Sequence, residues 1–132
     1  MNEFLLDTHI LIWAICCPEN LSKEAIKIIE DNENIIYVSV VSFWEISIKF
    51  AKGNLDLGQH RLENFPQYCR SLNFKILDLD ANFSSTLYQL KGKHHSDPFD
   101  RIIIWHAINH NICLISDDSK VRKYAEEGLS IL

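Results

Sequence analysis

The chain has 132 residues, of which 47% are hydrophobic and 23% charged, the composition of one globular domain with a single sizeable core. Its formal net charge of −5 excludes a domain that grips nucleic acid by bulk positive charge, although a local basic rim escapes that test. No apolar run approaches the roughly 20 residues that span a bilayer, and no basic region leads into a long apolar stretch at the N-terminus, so neither a membrane span nor a signal peptide is expected.

Residues 3–8, Glu-Phe-Leu-Leu-Asp-Thr, form the first predicted strand. A continuous apolar run has no solvent face and reads as a strand buried between two helical layers. It ends in an acid, Asp7, followed by a hydroxyl, Thr8. Residues 8–15 follow as a short helix, broken by Pro18 and Asn20. Ser22 caps a second helix running through Asp31, with Ala25, Ile28 and Ile29 on one face. Residues 35–38 are the second buried strand.

Ser39 or Ser42 caps the next helix, which stops at Gly53. Val41, Trp44, Ile48 and Ala51 are its expected core stripe, with Glu45 beside it. A helix over residues 63–72, with Asn64 as cap and Pro66 in the first turn, leads to a third strand over residues 74–79. Asp80 caps a further helix carrying Phe83, Leu87 and Leu90 and ending near Gly92. A polar stretch over residues 91–96 is expected to be exposed.

Asp97-Pro98-Phe99-Asp100-Arg101 announces the next helix: Asp97 caps, Pro98 opens, and Asp100 sits at the third helical position. The helix over residues 102–110 is apolar nearly all round and should be the most buried. The fourth strand, residues 112–115, again runs into acids, Ser116-Asp117-Asp118. A short basic helix (119–125) and a final strand (129–132) complete a three-layer α/β domain with a mostly parallel sheet. Cys16, Cys17, Cys69 and Cys113 show no metal-ligand spacing and point to reduced thiols in a cytoplasm.

Carboxylates thus stand at or near the carboxyl edge of the sheet in four places: Asp7, Glu45, Asp97/Asp100 and Asp117/Asp118. Each has a bland reading. Asp7 and Asp97 can be helix caps, Asp100 suits a helix dipole wherever it falls, Glu45 can be a partly exposed helix residue, and Asp117 and Asp118 can begin a helix. Together they say more. Carboxylates converging in one cleft repel unless a hard cation lies between them, and oxygen-rich sites suit Mg²⁺ or Mn²⁺. Such ions activate water and steady a leaving oxygen in phosphodiester hydrolysis.

Four pieces of the chain, in order, resemble the PIN domain, and within it the ribonuclease toxins of bacterial VapBC toxin–antitoxin pairs. They are Phe4-Leu5-Leu6-Asp7-Thr8-His9, Ser42-Phe43-Trp44-Glu45-Ile46, Asp97-Pro98-Phe99-Asp100-Arg101 and Leu114-Ile115-Ser116-Asp117-Asp118. The resemblance implies a five-stranded parallel sheet in an α/β/α sandwich, a single PIN-like nuclease domain over residues 1–132, and Mg²⁺- or Mn²⁺-dependent cleavage of RNA. It also implies a small antitoxin partner and a homodimer. Carried over by position, the family's acids fall on Asp7, Glu45 and Asp100, and its hydroxyl-any-acid pattern selects Asp118 rather than Asp117. Asp97, Thr8, Ser116 and Arg101 are supporting candidates.

Other signals carry less. His106 and His110 lie one helical turn apart, a spacing that binds zinc, but no third ligand accompanies them and they read as structural. His94 and His95 read as solvated loop residues. Lys49, Lys52, Lys91, Lys93, Arg101, Lys120, Arg122 and Lys123 are candidate phosphate contacts, Arg101 foremost. Trp13, Trp44 and Trp105 read as core. Two other function classes compete with a nuclease: a phosphatase using Asp7 as nucleophile, disfavoured because His9 occupies the place of its second Asp, and a PIN-fold RNA- or protein-binding module without turnover.

Overall fold

The computed structural model describes residues 2–94 and 97–132; His95 of the polar stretch lies outside them. Strand β1 (Glu3–Leu6) is one of the two inner strands. It pairs in parallel with β2 (Ile35–Ser39) on one side and β4 (Cys113–Ile115) on the other, and β2 pairs in parallel with β3 (Lys75–Leu77). The order is β3-β2-β1-β4.

Side chains alternate along each strand, so every strand feeds two layers. Phe4 and Leu6 of β1 join Ile36, Val38 and Ile115 in one core, under α1 (Thr8–Cys16), α2 (Lys23–Glu30) and α4 (Phe65–Ser71). Leu5 and Leu114 join the opposite core, with Ile103, Ile104 and Ala107 of α6 (Pro98–His110) and Val121 and Tyr124 of the 3₁₀ segment Ser119–Glu127. Leu5 and Leu6 are wholly buried, each burial contributing about 1.5–3 kcal/mol. The three-layer α/β arrangement follows from this alternation.

The caps form where local chemistry requires them. Ser22 accepts from the Ala25 amide at 3.0 Å, Asp80 (leading α5, Ala81–Ser84) from Phe83 at 2.7 Å, and Asp97 from Phe99 at 2.8 Å and Asp100 at 3.4 Å. Ser39, not Ser42, caps α3 (Val40–Ala51). Asn111 ends α6 in the left-handed conformation, φ 53°.

Two expectations are corrected. Among the described residues the sheet has four strands, not five. Gly128 turns the chain at φ 97°, Leu129 is taken into the core, and the last residues meet β4 through one bridge between Leu114 and Ile131. That bridge rests on the Leu114 amide donating to Ser130 O and the Leu132 amide donating to Leu114 O, too short a run for a ladder. In α3, the buried residues are Val41, Ser42, Glu45 and Ile46, whereas Trp44 is 56% exposed. The helix is rotated from the expected stripe, so its acid faces inward and its tryptophan outward.

Candidate active site

The chain winds from β1 to β2 and β3 on one side, then returns to place β4 on the other side of β1. The crevice between the carboxyl ends of β1 and β4 is therefore where the strand order reverses, the place where α/β sheets bind ligands. A cleft of about 250 Å³ lies there, lined by Asp7, His9, Glu45, Lys49, Asp100, Asp117 and Asp118. Asp7, Glu45, Asp100 and Asp118, read from four separate stretches of sequence, all face it.

Asp7 is fixed from both sides. Its Oδ1 accepts from the Thr8 amide at 2.8 Å, and its Oδ2 accepts from Ser116 Oγ at 2.6 Å. Burial raises the pKa of its carboxyl; the bonds from Ser116 and Thr8 and the nearby His9 work against that rise, and Glu45 adds to it. Asp7 also occupies the N-cap position of α1, so its bland reading as a helix cap holds. Thr8 is buried and shares a 2.9 Å hydrogen bond with Ser42 Oγ. That contact ties the start of α1 to α3, one turn before Glu45. Ser42 entered the sequence reading as a possible cap and as the start of the second PIN-like piece; its pairing with Thr8 joins two helices far apart in sequence, which spacing cannot reveal.

Glu45 is 2% exposed. Its Oε2 accepts from Lys49 Nζ at 2.6 Å, while its Oε1 is buried and, among the described residues, has no hydrogen-bond partner. The Lys49 pKa is raised: burial of the ammonium opposes this, but the hydrogen bond and charge of Glu45, with Asp97 and Asp100 adding, outweigh it. The signal for Lys49 was present, since residues four apart on a helix are neighbours.

Asp118 caps the 3₁₀ segment, its Oδ1 accepting from the Lys120 amide at 2.9 Å, while its own amide donates to Ser116 Oγ at 3.1 Å. Ser116 thus touches both Asp7 and Asp118. The remaining acid of this stretch is Asp117. It is exposed and borders both the acidic cleft and the adjoining groove that Arg122 also lines.

Asp97 serves as the cap of α6. Arg101 turns to the chain itself: its guanidinium donates to Leu90 O at 2.6 Å and Gly92 O at 2.5 Å. Glu127 accepts from the amides of Lys91 at 2.6 Å and Gly92 at 2.8 Å. Both groups pin the segment that precedes α6. Trp44 and Phe99, the neighbours of Glu45 and Asp100, meet edge to face at 5.3 Å and join α3 to α6 beside the cleft. His106 is fully buried and stacked on Phe83 at 4.2 Å, and it does not line the cleft.

The donors in the cleft are mainly carboxylate oxygens, and one of them, Glu45 Oε1, is buried without a partner among the described residues. That chemistry fits a hard divalent cation. In the arrangement seen, no group of three or more His, Cys, Asp or Glu among the described residues stands ready to hold a metal ion, and Lys49 supplies the positive charge next to Glu45.

Residues 4–127 match the PIN domain family. The chain is 25% identical over 124 residues to Ribonuclease VapC22 of Mycobacterium tuberculosis, covering 94% of this chain and 93% of that protein. Its fold is similar to that of DNA-bound VapBC from Salmonella typhimurium, with a TM-score of 0.69 at 17% identity over 100% of this chain and 98% of that one. It is also similar to VapBC2 from Rickettsia felis bound to a DNA fragment from its promoter, with a TM-score of 0.63 at 19% identity over 98% and 97% of the two chains.

Proposed function

Because the chain belongs to the PIN domain family, we propose that it is an endoribonuclease that hydrolyses RNA phosphodiester bonds with Mg²⁺ or Mn²⁺ and acts as the toxin of a VapBC-type pair. The observation that carries this reading is the cleft in which Asp7, Glu45, Asp100 and Asp118 come together at the strand-order reversal. The likeness to a ribonuclease over nearly the full length of both chains supports it.

The reaction adds the hydroxyl of water to phosphorus and returns its proton to the leaving ribose oxygen. A bound divalent ion supplies a more acidic water and charge for the phosphate oxygens. Asp7, Glu45, Asp100 and Asp118 would hold it. Asp7 is suited to this by its two fixed hydrogen bonds, which set the carboxylate plane before any ligand arrives. Glu45 offers from a buried position its Oε1, which has no partner among the described residues. Ser116 orients Asp7 and the turn that carries Asp118. Thr8 and Ser42 keep α1 and α3 in register around the cleft. An acidic cleft in an acidic protein is most simply silenced by an inserted Arg or Lys, so the antitoxin acts by filling it. The toxin is a homodimer of the cytoplasm; the four free cysteines suit that reducing compartment, and no helix among the described residues is long and apolar enough to cross a membrane.

The test is cleavage of total RNA by the purified protein. Activity is expected with Mn²⁺ or Mg²⁺, to vanish in excess EDTA, and to return on adding the ion back. Full cleavage in excess chelator overturns the mechanism.

A further inference from the structure

Lys49 lies one helical turn after Glu45 on α3, and its Nζ stands 2.6 Å from Glu45 Oε2. On an open helix surface such a pair contributes only about 0.2–0.5 kcal/mol. This pair differs, because the carboxylate side chain is 2% exposed and the ammonium side chain 36%. A buried, unpaired carboxylate is costly, so Glu45 needs a cation whenever no other is present. Lysine meets that need only in part: its point charge engages one oxygen and leaves Oε1 buried and unpartnered among the described residues. The asymmetry of exposure also leaves the ammonium, on its flexible stem, a way out toward solvent, while the carboxylate stays fixed. Asp100 and Asp118 border the same cleft, and Asp97 and Asp100 act on Lys49 electrostatically from the cap and first turn of α6.

Resting on the metal-dependent reading above, we propose that Lys49 is a positioning residue and the resident cation of the cleft, holding Glu45 in the ion-free protein, competing with the divalent ion for it, and so setting the affinity for that ion. In this arrangement the ion does not enter an unopposed cluster of acids. It displaces a charge already there. The lysine keeps the ion-free fold from carrying an unneutralised buried glutamate, at the expense of weaker metal binding.

The test is calorimetric titration of metal-stripped protein with Mn²⁺ alone, for wild type, K49M and K49R. K49M is expected to bind Mn²⁺ about tenfold more tightly, since a positive charge close to a divalent ion is removed. K49R, which keeps the charge, is expected to bind no more tightly than wild type. In EDTA, K49M should melt below wild type, and saturating Mn²⁺ should close the gap. An unchanged or weaker Mn²⁺ affinity in K49M overturns the assignment, whatever its melting temperature. If K49M lacks the native circular dichroism spectrum, K49Q is judged by the same criterion. Wild type that shows no saturable Mn²⁺ binding overturns the metal-dependent reading itself, an outcome distinct from failure of the Lys49 assignment.

Discussion

Ser116 Oγ donates to Asp7 Oδ2 at 2.6 Å, joining residues 109 positions apart at the ends of adjacent parallel strands. The same oxygen accepts from the Asp118 amide at 3.1 Å. One hydroxyl therefore sets the geometry of two acids that arrive from opposite ends of the chain. Ser116→Ala should lower cleavage by roughly tenfold or more, in keeping with the loss of a residue that orients a proposed metal ligand, while Ser116→Thr, which keeps the hydroxyl, should retain most of it. Cleavage rates of the two variants check this.

Asp7 gives a stability prediction with a definite sign. Its folded-state pKa is raised, chiefly by burial, so the folded protein binds this proton more readily than the unfolded chain does. The charged carboxylate then costs stability above the folded pKa, and that cost is relieved as pH falls through it. In EDTA at neutral pH, Asp7→Asn should melt a few degrees above wild type, and the gap should shrink as pH falls into the carboxylate range. Melting curves across pH decide it; a variant that melts lower than wild type at pH 7 makes Asp7 a net structural asset.

The two acidic pairs should separate by role. Asp100→Asn and Asp118→Asn should lose at least a hundredfold in cleavage rate while remaining folded. Asp117→Asn, altering an exposed residue on the rim, should keep most activity. Asp97→Ala removes the acceptor of the Phe99 and Asp100 amides and should cost about 1 kcal/mol of stability. Rates and melting temperatures for all four variants are the measurement, and an inactive Asp117→Asn beside an active Asp118→Asn would reverse the assignment.

Gly92 is a packing glycine. A Cβ there would lie 2.5 Å from Glu127 Oε2 and 2.7 Å from Tyr124 Cε1. The carboxylate can swing aside, but Tyr124 is fully buried. Gly92→Ala should cost about 1–3 kcal/mol and speed amide exchange at residues 91 and 92, whose amides lose Glu127 as an acceptor. Exchange at wild-type rates would show that Glu127 does not fasten this segment.

His106 predicts an acid-side slope. Burial, with His110 nearby, lowers its pKa to about 4 against the opposing pull of the Asp78 backbone and of Asp80. The unfolded chain takes up this proton near pH 6.5, so stability falls as pH drops from about 6.5 toward 4. His106→Leu should flatten that part of the stability curve and melt higher than wild type at pH 5. Denaturant titrations at pH 7 and pH 5 test the difference.

The sequence by itself determined the alternation of strands and helices, the caps at Ser22, Asp80 and Asp97, the stop at Asn111, and the presence of acids near the strand ends. These are legible because they depend on local chemistry. A cap is a side chain within reach of amides two or three residues on, and a buried parallel strand is an unbroken apolar run. The tertiary structure alone decided how α3 is turned. Apolar residues occupy more than one of its faces, so Val41 with Trp44 and Ile48 made as good a stripe as Val41 with Ile46. Only packing against the sheet and α6 selected the second, burying Glu45 and exposing Trp44. It likewise sent Arg101 to the carbonyls of Leu90 and Gly92 rather than to the cleft, and reduced the last strand to one bridge on Leu114. It also linked Thr8 with Ser42, and Ser116 with Asp7. Each of these joins residues distant along the chain, and which distant groups meet is fixed by how the layers close on one another, a property that no short stretch of sequence carries.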